Sequence, residues 1–129
     1  MNSGIYYILN LCNDRIYIGQ SGDIKLRFRS HIAALNNGYH RNETLLSDWN
    51  EYGASAFEFG VLVEENSIFG SERGRLERAF IRVYQANDIR YGYNADHVLR
   101  RIKRNREQII SHLTWLELSS PADDEQVAA

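Results

Sequence analysis

Near the start of the chain, Ile and Tyr crowd two short runs, residues 3–10 and 15–19, and the four residues between them, LCND, end in Asn13 and Asp14. Aromatic and β-branched residues bounded by turn formers read as the two strands of a hairpin. Side chains alternate along a strand, so Tyr6 and Ile8 share one face while Ile5, Tyr7 and Leu9 share the other. Tyr17 joins the face of Tyr6 only if paired residue numbers sum to an odd value, as when Asn10 pairs with Arg15 across a four-residue turn. Beyond Gly22, Asp23 suits a helix N-cap, and Ile24, Phe28, Ile32 and Leu35 recur at helical spacing until Asn36, Asn37 and Gly38. Arg27 and His31, four apart, share a face of that helix, with the apolar stripe turned elsewhere. A second helix is expected over 44–52, with Leu45, Leu46 and Trp49 inward and Gly53 at its exit, and a third strand over 57–63. Ser71 is placed to cap a helix over 72–85 whose Leu76, Phe80 and Val83 point inward, and Gly74 weakens its first turn. After a loop through Gly92, Tyr93 and Asn94, a last helix runs over 96–118, and residues 119–129 are expected to be disordered. The order β, β, α, α, β, α with an appended helix predicts an α+β fold: a small, three-stranded, mostly antiparallel sheet packed among helices.

The 129 residues suffice for one domain, expected over 1–96, with an appended helix and a short tail. No apolar run approaches the roughly 20 residues of a membrane span, so a soluble protein with no membrane partner is expected. Cys12 is the single cysteine; with no partner thiol or neighbouring base in its turn, it reads as inert. No basic and apolar leader precedes the first strand, which makes a cytoplasmic, intracellular location the expectation. The net charge is −2, but it is segregated: six acidic and no basic residues over 43–65, ten basic against four acidic over 66–106, five acidic and none basic thereafter. Such blocks permit a positive face on a slightly acidic protein, the alternative being a solvated helix surface.

Six elements, in order, resemble the GIY-YIG nuclease superfamily, above all the catalytic domains of phage homing endonucleases. Gly4-Ile5-Tyr6 stands as the first signature and Tyr17-Ile18-Gly19 as the second. Ser21, Arg27 and His31 follow at the family's intervals, His40 lies where such domains often carry a histidine, Glu77 falls in the late helix, and Gly92-Tyr93-Asn94 matches the closing motif. The likeness covers about residues 3 to 96. It implies a metal-dependent DNA endonuclease with Tyr6, Tyr17, Arg27, His31 and Glu77 in catalysis, Glu77 as the metal ligand, and Mg²⁺ (or Mn²⁺) as the cofactor, one ion per site.

Phosphodiester hydrolysis needs an activated water, a group that stabilises the charge on the phosphorane oxygens, and support for the leaving alkoxide. Arg27, permanently charged and fork-shaped, suits the second task. One carboxylate is too few for two metals, which argues for a single ion completed by water and phosphate. The candidates for general base are Tyr6, Tyr17, His31 and His40; the resemblance favours a tyrosine, with Tyr6 ahead of Tyr17. A phenol with an ordinary pKa of about 10 accepts a proton only if Arg27 or the metal lowers that value. Apart from the resemblance, Arg27 reads as a surface arginine paired with Asp23, and Glu77 as a surface glutamate paired with Arg73 or Arg78. Gly19 is expected to leave room for substrate at the second strand, and Asn94 to hydrogen-bond backbone or a tyrosine hydroxyl near the site. Tyr7, Tyr39, Tyr52, Tyr84, Tyr91 and Tyr93 read as packing residues.

DNA is the expected partner. Contacts to it are assigned to His40, which shares that role with catalytic help, and to Arg29, Arg100, Arg101, Lys103 and Arg104. The last helix, with Leu99, Ile102, Ile109, Leu113 and Leu116 near helical spacing, is free to pack on the core, touch DNA or pair with a second copy. If both strands are cut, either two copies, as a homodimer or a transient pair on DNA, or two sequential cuts are needed. Two other functions compete: a DNA-binding or regulatory protein of the same fold with little or no cleavage, and a protein-interaction module using the acidic block over 43–65. Keeping Tyr6, Tyr17, Arg27, His31 and Glu77 together favours the enzyme.

Overall fold

A computed structural model describes residues 2–64, 66 and 70–118, those at 97–102 and 115–118 by backbone alone. The tail expected over 119–129, and the side chains of Leu99, Arg100, Arg101, Ile102 and Leu116, lie outside the described residues. The hairpin forms from β1 (Gly4–Asn10) and β2 (Ile16–Ser21). Tyr6 pairs with Gly19 and Ile8 with Tyr17, and the Asn10 N–H donates to the Arg15 carbonyl at 2.9 Å, so the register is the odd-sum one. The turn holds because Asn10 Oδ1 accepts from the Cys12 N–H, Asn13 Oδ1 accepts from the Arg15 N–H, and Asp14 adopts the left-handed conformation (φ 63°) that Asp tolerates. With β3 (Phe57–Glu64) on the other side of β1, the sheet order is β2-β1-β3, antiparallel throughout. A single parallel bridge joins Ile16 to Gly92 at the outer edge of β2.

Helix α1 (Ile24–Asn37) begins where Asp23 accepts from the Leu26 N–H and ends at Gly38, whose φ of 77° is free for glycine. Helix α2 (Glu43–Tyr52) is capped by Asn42, which accepts from the Leu45 N–H, and leads through one 3-10 turn (Ala54–Ala56) into β3. Both helices pack on the face carrying Ile8: Leu35, Leu45, Trp49, Ala56, Phe57 and Tyr93 close that core. Helix α3 (Gly70–Val83) covers the opposite face, with Leu76, Phe80 and Ile81 against Ile5, Ile16, Ile18 and Ala86.

Four expectations need correction. In α1 the buried residues are Ile24, His31 and Leu35, while Ile32 is exposed: the helix turns His31, not Ile32, toward the core. In α3, Val83 is 73% exposed and Ile81 takes its place inward, because the helix stops at Val83 and the chain reverses. Ser71 lies inside the first turn of α3 rather than capping it. Of the tyrosines assigned to packing, Tyr93 is fully buried, whereas Tyr39, Tyr52, Tyr84 and Tyr91 are exposed.

The chain divides into two compact units after Asp96. Helix α4 (Asp96–Leu118) starts at that boundary, and its residues 97–118 make up the described part of the second unit. It leaves Ile109, Ile110 and Leu113 exposed, and Lys103 and Arg104 face solvent. No helix among the described residues is long and apolar enough to cross a membrane.

Candidate active site

The odd-sum register sets Tyr6 and Tyr17 side by side on the face that α1 covers, with ring centroids 6.3 Å apart. Tyr6 is 1% exposed, and its ring fits because its cross-strand partner is a glycine. A Cβ on Gly19 would stand 2.3 Å from Cζ and 2.4 Å from Oη of Tyr6. Gly19 therefore makes room for the Tyr6 ring; the expected room for substrate is already filled by this aromatic. Phe28 meets the same ring edge-on at 5.3 Å and passes the contact to Phe59, so the phenol is clamped from the core side.

His31 rises from α1 beneath both phenols. Its Nε2 lies 2.7 Å from Tyr6 Oη, and its Nδ1 lies 2.7 Å from His40 Nε2, the two imidazoles stacking at 5.0 Å. His40 Nδ1 in turn accepts from the Asn42 backbone N–H at 3.0 Å. Both nitrogens of His40 are thus engaged inside the protein, which removes the ring from the DNA-backbone contact assigned to it as one of two roles. Burial, reinforced by the charge of Arg27 and by His40, drives the His31 pKa down to about 3; burial and Arg27 lower that of His40 as well. Both rings are neutral at pH 7.

Arg27, four residues before His31 and exposed, acts on both phenols. Burial pushes the Tyr6 hydroxyl far above the ordinary phenol range, and nearby Tyr17 pushes it further; Arg27 opposes both. Tyr17, partly exposed, is also raised by burial, but Arg27 and the Tyr6 hydroxyl pull it down while Glu77 raises it. Asp23, the alternative partner for Arg27, spends its carboxylate on the cap of α1.

Glu77 arrives from α3, on the far face of the sheet, and reaches the outer edge of β2. Partial burial raises its carboxyl pKa, while Arg78 and the Gln20 backbone N–H lower it. The Gln20 side chain accepts from Arg73 Nε at 3.1 Å, tying α3 to β2 beside this carboxyl. Among the described residues no three His, Cys, Asp or Glu side chains are grouped to hold a metal, so Glu77 is a lone acid. Asn94 holds the closing loop to β2: its Oδ1 accepts from the Ile18 N–H at 2.9 Å and its Nδ2 donates to the Ile18 carbonyl at 2.8 Å.

Tyr6, Tyr17, Arg27, His31, His40 and Glu77 are thus brought together, with Gly19 and Asn94 beside them. Arg29 is not among them. Two residues beyond Arg27, it lies about 200° around α1 and lines a separate groove of about 410 Å³ with Asn2, Asp23, Lys25 and Leu26. Lys103 and Arg104 belong to the second unit.

Residues 2–94 match the model of the GIY-YIG catalytic domain. The chain belongs to the GIY-YIG family. Over 97 residues it is 36% identical to intron-associated endonuclease 1 of Enterobacteria phage T4, an alignment covering 73% of this chain and 37% of that protein. The chain thus accounts for little more than a third of that curated relative's length. Two solved structures share the GIY-YIG fold with it. The catalytic domain of the homing endonuclease I-TevI superimposes with a TM-score of 0.64 at 27% identity, covering 70% of this chain and 95% of that one. A mutant form of the same domain gives 0.65 at 29% identity, covering 74% and 94%.

The GIY-YIG motifs alone do not reveal the polar scaffold behind the site. Asp48, 6% exposed on α2, accepts from Tyr93 Oη at 2.7 Å, from Asn13 Nδ2 at 3.1 Å and from Arg15 at 3.4 Å, while buried Asn10 donates to the same tyrosine. Burial and the Asp48 carboxylate push the Tyr93 hydroxyl well above the phenol range, so it stays a donor. Asp96 accepts from the Glu43 and Thr44 N–H groups and the Thr44 hydroxyl, placing its charge at the amino end of α2. Asn42, before a Glu and a Thr, carried a cap signal; Asp48 and Asp96 carried none.

Proposed function

We infer that this chain is a metal-dependent DNA endonuclease of the phage or mobile-element homing type, acting in the cytoplasm and hydrolysing phosphodiesters with one divalent ion per site. The observation that carries this reading is the meeting of two phenols, one guanidinium and one carboxyl around Tyr17. The similarity of residues 2–94 to a phage intron-associated endonuclease and to homing-endonuclease catalytic domains supports it.

In this reading Arg27 receives two non-bridging phosphate oxygens through its paired N–H groups and offsets the charge gathering on them. Its exposed position leaves it open to substrate. One of the two tyrosines, after giving its own proton to solvent, takes as phenolate the proton of the attacking water. Glu77 is the residue that would hold Mg²⁺ or Mn²⁺: a single, half-buried carboxyl suits an ion that keeps most of its ligands as water and phosphate. When bound, the ion supplies positive charge to the departing 3′ oxygen. With one such site per chain, a double-strand break takes either two copies, as a homodimer or a transient pair on DNA, or two successive cuts by one copy. Arg100, Arg101, Lys103 and Arg104 supply phosphate contacts that add to affinity without reading sequence.

Supercoiled plasmid tests this directly. Nicking is expected with Mg²⁺ and absent with chelator, and it disappears in Arg27→Ala and in Glu77→Ala. Cutting that survives Glu77→Ala removes the metal assignment; DNA retention by all three proteins with cleavage by none supports a binding protein instead.

A further inference from the structure

Four groups at this site form a chain whose direction can be read from one end. The Asn42 N–H donates to His40 Nδ1 at 3.0 Å. A ring nitrogen that accepts carries no proton, so the proton of neutral His40 sits on Nε2. That Nε2 lies 2.7 Å from His31 Nδ1; it donates, His31 accepts, and the proton of His31 is left on Nε2. His31 Nε2 lies 2.7 Å from Tyr6 Oη and donates in turn. The phenolic oxygen thus accepts on the buried side, and the O–H of Tyr6 has to be given outward, toward Tyr17. Arg27, the other group there, has no acceptor to offer.

The origin of the direction is rigid. Asn42 caps α2 through Oδ1, which accepts from the Leu45 N–H, while its Nδ2 donates to the Tyr93 carbonyl at 2.7 Å. Its backbone N–H cannot turn away without breaking both. This direction requires neutral imidazoles, and burial keeps both rings neutral.

We propose that His31 and His40 are positioning residues that wire the Asn42 N–H to Tyr6, fix the Tyr6 hydroxyl as a hydrogen-bond donor, and thereby leave Tyr17 as the phenol that accepts the proton. The second half rests on the nuclease reading above. Tyr17, whose phenol Arg27 and the Tyr6 hydroxyl pull down against burial, first gives its own proton to solvent; the water oxygen then bonds to phosphorus and the water proton passes to the resulting phenolate. The bond from phosphorus to the 3′ oxygen breaks with its electron pair on that oxygen, which solvent then protonates. Tyr6 donates to Tyr17 and stabilises the phenolate. This reverses the order of the two tyrosines expected from the motif.

The ring protons are observable without any cleavage. In the full chain labelled with ¹⁵N-histidine, nitrogen-to-carbon-bound-proton correlations at pH 7 are expected to show His31 and His40 both as the Nε2–H tautomer. An Nδ1–H tautomer on either ring overturns the wiring. In His40→Ala the Nδ1 of His31 loses its donor, and His31 is expected to become a tautomer mixture; an unchanged, pure Nε2–H ring overturns the role of His40. For the chemical half, Tyr17→Phe is expected to lose at least about 1,000-fold in nicking rate and Tyr6→Phe about 10- to 100-fold, as befits a lost base and a lost donor. The opposite ranking overturns the assignment of the base. Should the parent chain not cleave at all, the nuclease reading falls, and the ring tautomers still decide the wiring.

Discussion

Arg27 acts on two phenols at once, and a lysine there keeps the charge while losing the fork. Arg27→Lys is therefore expected to lower plasmid nicking by about 100-fold or more with little change in urea-unfolding stability, because the residue is exposed. The glycines opposite the two β1 tyrosines make a paired test. A Cβ at Gly19 meets the Tyr6 ring and one at Gly60 meets the Tyr7 ring, each at about 2.4 Å. Tyr6 is clamped by Phe28 and His31, but Tyr7 is only partly buried and is held by one hydrogen bond to Glu58. Gly19→Ala is expected to cost about 1–3 kcal/mol in chemical denaturation and to depress cleavage, with Gly60→Ala milder on both measures. At this scale the motif residues were legible because each carries chemistry in its own side chain. Asp48 and Asn10 were not: an Asp or Asn on a helix or strand gives no sign that a buried tyrosine from a distant loop needs it.

Helices show the same division. The start and stop of α1 were readable from Asp23 and Gly38, since caps are local devices, but which stripe is buried was misjudged by one residue in the turn. Hydrophobicity pointed to Ile32; the need to place His31 under Tyr6 overrode it. Helix α3 ends in a Schellman pair, Ala86 N–H to the Ile81 carbonyl and Gln85 N–H to that of Arg82, with Gln85 in the left-handed region at φ 55°. Glycine is the residue that adopts this conformation without strain, so Gln85→Gly is expected to raise stability by about 0.5–1 kcal/mol. At the amino end of α2, Asp96→Ala removes a carboxylate shared by two N–H groups and a hydroxyl, and a loss of about 1–2 kcal/mol is expected in the same assay.

For the whole molecule, pH acts through the buried ring. Folded His31 takes up no proton until about pH 3, whereas in the unfolded chain it binds one near its ordinary value of 6.5. Between those values the unfolded state holds more protons, so this contribution to stability is complete above about pH 6.5 and is lost as pH falls toward 3. Unfolding at pH 7 and 4.5 is expected to show the loss, and His31→Gln to show a smaller one; equal losses would remove His31 as the cause. Salt reports the second unit: if Lys103 and Arg104 contact phosphates, replacing both with Ala lowers the slope of log affinity against log salt by about 2. What the sequence determined by itself was the order and kind of elements and a four-residue turn that fits the hairpin register, because period, turn chemistry and caps act over a few residues. Only the tertiary structure decided which tyrosine is shielded, why Gly19 must be a glycine, that α3 delivers Glu77 across the edge of the sheet, and that two histidines and a backbone N–H give the site a direction. Apart from the short step from Asn42 to His40, those outcomes depend on contacts between residues at least 9 positions apart in the chain, and no local pattern encodes them.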